Sequence, residues 1–153
     1  MNRPRRPVDT VGAVTATSSS ATADRVPLVD YLVLDGEPHL VANQCTSCGA
    51  RFFDRRNACA ACFATSFEKV DIPTEGIVRA FTIVTFAAPG VQVPFASAVI
   101  DCGGTSVRGN IVGVEPTPQN ISLGMPVRLT TFPIGTDDNG IEAIGFGFEP
   151  QTD

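Results

Sequence analysis

The sequence contains no tryptophan, one tyrosine and one histidine, and it has no long apolar run. A transmembrane helix needs about 18 or more apolar residues in succession, so we expect no membrane-spanning segment and no membrane partner. With His39 as the single histidine and no Gly-x-Ser-x-Gly motif, a serine-hydrolase triad cannot be assembled. The sequence therefore identifies no catalytic group of residues, and we expect no activity from the chain alone.

The charge balance is acidic, with 11 basic and 16 acidic residues and a formal net charge of −5. Four of the arginines fall within the first 25 residues, so residues 26–153 carry 7 basic and 14 acidic side chains. A body of this charge repels phosphate backbones, which disfavours nucleic acid as a partner.

Residues 1–25 are rich in serine, threonine and arginine. They bury too little apolar surface to offset chain entropy, so the sequence predicts a disordered tail. Asp9 and the Ser/Thr run interrupt any apolar segment that a signal peptide would need. We therefore expect a cytoplasmic location, where cysteines stay reduced and paired cysteines more often bind metal than form disulfides.

Four of the five cysteines lie close together, as Cys45-x2-Cys48 and Cys59-x2-Cys62 separated by ten residues. Two such pairs facing each other place four thiolates in a tetrahedron, the closed coordination of a structural zinc ion. Because protein fills all four positions, no site remains for water or substrate. The spacing predicts Zn²⁺; rubredoxin-type iron, a redox-active Cys-x-x-Cys pair and two disulfides are the alternatives that it leaves open.

Cys102 and a group of arginines are the other residues that could react with or bind a ligand. Cys102 ends an apolar segment, which predicts a buried inert thiol; a nucleophile is the alternative, but His39 lies in another module. Arg51, Arg55 and Arg56 form a basic cluster between the cysteine pairs. They are interpreted either as a solvated surface or as contacts for an anion, such as coenzyme phosphates or a partner's carboxylates.

Residues 26–72 are predicted to form the zinc ribbon with a leading hairpin. Apolar residues flank the turn sequence DGEP, which predicts strands at 31–34 and 39–41 around a turn at 35–38. A short helix over 28–34 is the alternative. The hairpin leads directly into the first cysteine pair.

Residues 73–153 are predicted to form a second domain made of five short strands. The strands are rich in β-branched and aromatic residues, and no helical periodicity persists among them. Five antiparallel strands with glycine-rich turns suit a small closed barrel of the OB-fold type, with an incomplete sandwich as the alternative. The predicted strands cover 76–87, 94–102, 106–115, 125–134 and 141–150.

A four-cysteine ribbon followed by a five-stranded barrel resembles the zinc-ribbon/OB-fold family of acyl-CoA-associated proteins once called domain of unknown function 35. The likeness covers roughly residues 26–150. In the barrel, GIVRAFTIV, PFASAVID, LGMPVRL and FEP are similar to family segments. The family ribbon pattern, C-x-x-C-G-x-x-x-F-P-P-R-x-x-C-P-x-C, is matched by Cys45, Cys48, Gly49, Phe53, Arg56, Cys59 and Cys62.

The chain departs from the family pattern at three places. Asp54 and Arg55 replace the two prolines before Arg56, and Ala60 replaces the proline of the second cysteine pair. The opening is predicted as a hairpin where many members begin with an aromatic-rich helix. These changes leave the metal ligands intact.

Family members are small partners of thiolase-like or ketosynthase-like enzymes. The resemblance implies a mainly β protein, with a rubredoxin-like four-cysteine zinc ribbon before a five-stranded OB-fold barrel. It implies a non-catalytic accessory subunit in a hetero-oligomer acting on acyl-CoA in lipid metabolism, where the partner supplies the catalytic groups. A CoA thioester at the shared site is a further expectation, with Arg55 and Arg56 as candidate contacts.

The alternative function is a module that binds single-stranded nucleic acid. Such barrels need a basic groove and aromatic side chains for stacking. This barrel has no tryptophan, and its only basic residues are Arg79, Arg108 and Arg128.

Overall fold

The computed structural model describes residues 24–151, and these residues form ten β-strands and no helix. No helix that could span a membrane occurs in this part of the chain. The expectation of a mainly β protein is confirmed. The strands are β1 (Arg25–Pro27), β2 (Leu32–Val33), β3 (His39–Cys45), β4 (Arg51–Phe52), β5 (Phe67–Ile72), β6 (Glu75–Val84), β7 (Phe95–Cys102), β8 (Thr105–Ile111), β9 (Pro126–Thr136) and β10 (Glu142–Pro150).

The ribbon is a four-stranded antiparallel sheet built around β3, which pairs with β2, β4 and β5. The predicted leading hairpin is present, since Leu32 pairs with Leu40 and Val33 with His39. Gly36 has a φ of 72° in the connecting turn, a conformation that suits glycine. The alternative helix over 28–34 is not formed.

The barrel is a closed sheet of five strands in the order β6-β7-β8-β10-β9. Strand β9 pairs with both β10 and β6, which closes the sheet and excludes the open sandwich. Strands β8 and β10 pair in parallel, and the other barrel pairings are antiparallel. This Greek-key closure of five strands is the OB-fold.

Alternating side chains fill the barrel interior, as the pattern of β-branched and small apolar residues predicts. Strand β7 shows this most clearly, because every second residue is buried. The buried residues of β7 are Ala96, Ala98, Ile100 and Cys102.

Strand β1 corrects the sequence interpretation of residues 25–27. The predicted boundary between tail (1–25) and ribbon (26–72) divides these residues, but they pair in parallel with β10 of the barrel sheet, with Arg25 opposite Glu142. The Nε atom of Arg25 lies 3.5 Å from a carboxylate oxygen of Glu142, and the Leu28 amide donates to the Ile144 carbonyl at 2.8 Å. The rest of the predicted tail lies outside the described residues.

Ribbon and barrel share one hydrophobic core. Leu32, Leu40 and Ile72 of the ribbon belong to the same buried cluster as the barrel interior. The Tyr31 ring packs edge-on against Phe146 of β10, with centroids 6.2 Å apart. The two sheets are therefore packed together as one unit, and the chain passes from one to the other between β5 and β6.

Gly76 lies at the start of β6, where the barrel wall leaves no room for a side chain. A Cβ there would clash with Ile100 and approach the Cys102 sulfur to 2.8 Å and the Asp101 carbonyl oxygen to 2.9 Å. We expect Gly76→Ala to lower the free energy of unfolding by about 1–3 kcal/mol through overpacking, measured by urea denaturation. Gly135→Ala is the control, since a Cβ there meets no atom within 4 Å. Equal stability of both variants would contradict this close packing.

Candidate metal centre

The two cysteine pairs lie in two turns of the same geometry. In the first, the Gly49 amide donates to the Cys45 carbonyl at 2.9 Å; in the second, the Phe63 amide donates to the Cys59 carbonyl at 2.9 Å. Gly49 and Phe63 both have positive φ, at 75° and 63°. Each turn therefore curls back four residues after its first cysteine, which directs both sulfurs of the pair to one side.

The four sulfurs converge on one point between the turns. All four lie within 4.8 Å of one another. Two separations of 3.6 Å each join the turns: Cys45 to Cys62 and Cys48 to Cys59. A tetrahedron with Zn–S bonds of about 2.3 Å requires sulfurs about 3.8 Å apart, so the donor set fits a zinc ion.

No disulfide joins these cysteines, because all five cysteines of the chain have free thiols. Sulfurs of different turns approach to 3.6 Å, whereas a redox-active Cys-x-x-Cys pair needs only its own two cysteines. The geometry therefore favours metal coordination over both sulfur-only alternatives. All four thiolates are needed to complete the coordination sphere.

The protonation of the thiols also favours a cation. Hydrogen bonds from the Cys48 and Ser47 amides lower the pKa of the Cys45 thiol to about 7. For Cys62, the Ala64 amide has the largest single effect and lowers the pKa, but hydrogen bonds with the other thiols and burial raise it to about 12. Neighbouring thiolates repel one another, so a bound metal ion is needed to keep all four ionised.

The metal end of the ribbon is partly open to solvent. Cys45 and Cys59 are buried, whereas Cys48 and Cys62 are exposed. In the adjoining strands, the Phe52 and Phe67 rings meet edge to face with centroids 6.3 Å apart. Phe67 lies opposite Cys45 in the β3–β5 register, so this aromatic pair belongs to the same end of the sheet as the cysteines.

The three arginines of the predicted basic cluster, Arg51, Arg55 and Arg56, have different surroundings in the structure. Arg51 reaches the barrel, where Nη1 donates to Thr105 Oγ1 at 3.1 Å, while its Nε donates to Gln44 Oε1 of the neighbouring ribbon strand β3 at 2.8 Å. Arg56 lies over the Phe52 ring, with 4.7 Å from Cζ to the centroid. Arg55 is exposed and, within residues 24–151, has no carboxylate partner within 4 Å.

Arg51 lies in a cleft of about 410 Å³ between ribbon and barrel. Gly49 and Phe53 line its ribbon side, and Gly103 of the β7–β8 turn and Ser106 of β8 line its barrel side. Sequence reasoning did not find this cleft, because it joins segments about fifty residues apart. Arg51 is thus a link between the two sheets and is engaged within the chain.

A second cleft, of about 280 Å³, lies on the outer face of the barrel. It runs between β6 and β7, and its lining includes Phe81, Ser97, Val99 and Arg108. No motif in the sequence indicated it. Arg108 brings a positive charge to this groove, whose lining mixes apolar side chains with the hydroxyls of Thr82 and Ser97.

Cys102 lies inside the barrel and is buried. Burial, and then the charge of Asp101, raises the pKa of its thiol to about 11, which keeps it protonated near neutral pH. His39 is engaged in the ribbon, where Nδ1 lies 2.8 Å from the Glu37 carbonyl oxygen and Nε2 lies 3.5 Å from Asp71. These surroundings suit a core side chain and give Cys102 no feature of a nucleophile.

A closed OB-fold barrel carrying a four-cysteine ribbon defines the class as a zinc-ribbon/OB-fold protein. The model for the rubredoxin-like zinc ribbon domain of ChsH2 matches residues 36–68, and the model for the C-terminal OB-fold domain of ChsH2 matches residues 69–132. The two matches adjoin and together span more than half of the chain. The chain belongs to this ChsH2 (DUF35) family, which confirms the resemblance found in the sequence, and its cofactor is zinc.

The solved structures similar to this chain include the following two. One, described as "Ltp2-ChsH2(DUF35) aldolase", is 24% identical, with 73% of this chain and 84% of that chain covered and a TM-score of 0.58. The other is a protein of unknown function of the DUF35 family from Sulfolobus solfataricus, at 20% identity, coverages of 68% and 74%, and a TM-score of 0.43. The first likeness supports the fold. Among curated protein sequences, none matches the chain.

Replacing one metal ligand tests the centre. We expect wild-type protein to contain one zinc per chain, and Cys48→Ser to lose both the metal and cooperative unfolding of the ribbon, because three thiolates hold the ion poorly. Elemental analysis and thermal unfolding followed by circular dichroism measure the two effects. Cys102→Ala is the matched control: it removes a buried thiol outside the cluster and should keep the zinc. An unchanged zinc content and melting curve in Cys48→Ser would refute the assignment.

Proposed function

We propose that this chain is the non-catalytic accessory subunit of a thiolase-like complex that acts on acyl-CoA thioesters. The observation that carries the proposal is the match of both ChsH2 domains, in order, to a chain whose four cysteines converge on one point. A similar structure is described as an aldolase containing Ltp2 and ChsH2, so one relative is found with a second protein. That description also favours carbon–carbon bond chemistry for the complex.

The zinc ion has a structural role in this proposal. Cys45, Cys48, Cys59 and Cys62 supply four thiolates, which fill a tetrahedral site and leave no position for substrate or water. When bound, the ion fixes the two turns of the ribbon and the surface that they present. The nucleophile and the acid/base groups then belong to the partner.

The proposal includes a bridging role, in which the chain connects parts of the complex. The shared core and the Arg51 contacts with Thr105 and Gly103 hold the ribbon against the barrel. Two surfaces on one rigid unit, the metal end of the ribbon and the outer face of the barrel, can contact different parts of an assembly at once. The chain would then complete or bridge the partner without taking part in bond making.

CoA contact is the finer part of the proposal, and Arg55 is its best candidate. Arg51 is engaged by the barrel and Arg56 is stacked on Phe52, whereas the Arg55 guanidinium is free of carboxylates in the described chain. An exposed guanidinium suits a phosphate group, to which it donates two parallel hydrogen bonds. We place the CoA phosphates near Arg55 at the surface shared with the partner.

Reconstitution tests the accessory role. The zinc-loaded chain, incubated alone with acyl-CoA thioesters, should show no thiolysis, condensation or retro-aldol cleavage. The thiolase-like subunit that co-purifies with the tagged chain from its native cell should gain activity when the chain is added back. Turnover by the chain alone, or full activity of the partner without it, would contradict the proposal.

Charge reversal tests the CoA contact in the reconstituted complex. We expect Arg55→Glu to raise the KM for the acyl-CoA at least fivefold with little change in kcat, because it removes a phosphate contact made equally in ground and transition states. Lys69→Glu is the control, since Lys69 is an exposed cation of the same ribbon sheet without a carboxylate partner in residues 24–151. Equal KM values for Arg55→Glu and wild type would exclude Arg55 as a CoA contact.

A further inference from the structure

Strand β5 (Phe67–Ile72) is an open edge of the ribbon sheet. It pairs with β3, and within residues 24–151 no other strand pairs with it. Continuing the β3–β5 register, the Thr46 amide donates to the Ser66 carbonyl at 3.1 Å, whereas the preceding amide, of Cys45, donates to the other side of β3. Hydrogen-bonded pairs alternate along an antiparallel ladder. The N–H and C=O groups of residues 67, 69 and 71 therefore face away from the sheet.

The two charged side chains on the outer face of β5 are opposite in sign. Val70 and Ile72 pack into the core, so Lys69 and Asp71, which alternate with them, lie on the opposite face. Lys69 is exposed and has no carboxylate within 4 Å in residues 24–151. The Asp71 side chain is 80% exposed, with His39 Nε2 3.5 Å away. A lone lysine on an edge repels a second strand, but a lysine and an aspartate two residues apart make this edge complementary to itself.

Two antiparallel registers pair most of β5 with the same strand of a second copy about a two-fold axis. Because the outward-facing backbone groups must meet, one residue lies on the axis and opposes itself. Residues 67–71 pair around Lys69, or residues 68–72 pair around Val70. The first register sets lysine against lysine, which is unfavourable. The second sets Lys69 of each copy against Asp71 of the other, so charge selects it.

We propose that two copies of this chain associate through their β5 edges, as an antiparallel pair with Val70 on the two-fold axis. Lys69 and Asp71 then form two hydrogen-bonded pairs across the axis, each exchanging both of its backbone N–H···O=C bonds. Val70 meets its copy on the other face as a non-hydrogen-bonded pair, in which side chains lie closest. The two ribbon sheets become one continuous sheet. This inference goes beyond the proposed function and does not depend on it.

The charge of the chain favours a second copy in this one register. Each chain has a formal net charge of −5, so two copies repel each other unless opposite charges meet at the contact. The β5 edge supplies two such pairs from its own sequence. An extended segment of another protein would also find open backbone groups here, but it would need the same alternation of charge to fit.

Sedimentation of the full zinc-loaded chain tests the contact, and we expect a reversible equilibrium between monomer and dimer. Asp71→Lys sets lysine against Lys69 of the other copy and should raise the dimer dissociation constant by about tenfold or more. Lys69→Glu should do the same from the other side of the contact. The double variant Lys69→Glu/Asp71→Lys restores opposite charges and should return the constant to within about threefold of wild type.

Asp138→Lys is the matched control. It makes the same change in net charge as Asp71→Lys, at an exposed position in the β9–β10 turn. Its dimer should be at least as stable as that of wild type, because the net repulsion between copies falls. All of these variants should keep one zinc per chain, which shows that the ribbon is folded. If Asp71→Lys loses the metal, Lys69→Glu and its control carry the test.

Hydrogen exchange tests the backbone pairing independently of the side chains. The amides of Lys69 and Asp71 should be protected in the dimer and exchange rapidly once dilution gives the monomer. The Val70 amide faces β3 and should stay protected in both states.

Each other outcome would overturn the inference. A wild type that is monomeric at every concentration refutes it, and so does a dimer that neither single variant weakens or that the double variant fails to restore. Protection of the Lys69 and Asp71 amides in the monomer would mean that a segment of the same chain covers the edge. Protection that appears only with the thiolase-like subunit would mean that this protein covers it. None of these results bears on the accessory role, which reconstitution tests separately.

Discussion

Four thiolates around one metal ion are the constraint on which the ribbon depends. Strands β2 and β4 contain two residues each, and the segment between Cys45 and Phe67 is largely exposed. Such a segment cannot bury enough apolar surface to fix its own shape, so coordination supplies the missing free energy. The exposed aromatic and basic side chains of the turns have defined positions only because the sulfurs are tied together.

The opposite end of the ribbon is held by ordinary packing. Leu32, Leu40 and Ile72 continue the barrel core, and Arg51 joins the first cysteine turn to the β7–β8 turn. The molecule is therefore a rigid support with a metal-fixed end. One end of the ribbon is thus fixed by packing and the other by the metal. This arrangement suits a subunit that positions surfaces, and it explains how a chain can contribute to an enzyme complex through contacts alone.

Local patterns in the sequence predicted most of this architecture. The cysteine spacing predicted the metal ligands, and apolar alternation bounded by glycine and proline predicted all five barrel strands and the leading hairpin. Strand β1 was missed because three residues carry no periodicity and their partner, β10, lies more than a hundred residues away. The sequence also did not show that Arg51, Arg55 and Arg56 have different surroundings, since these depend on where Phe52 and Thr105 lie in space. Phe63 did leave a signal: aligning the two cysteine pairs sets it against Gly49.

Hydrogen exchange before and after removal of zinc by a chelator tests the central claim most directly. The account predicts that the amides of Gly49 and Phe63, which close the two turns, lose their protection when the metal leaves, while the amides of β7 and β8 keep theirs. If the turn amides stayed protected without zinc, the ribbon would hold its shape by packing alone, and the metal-fixed surface would have to be abandoned.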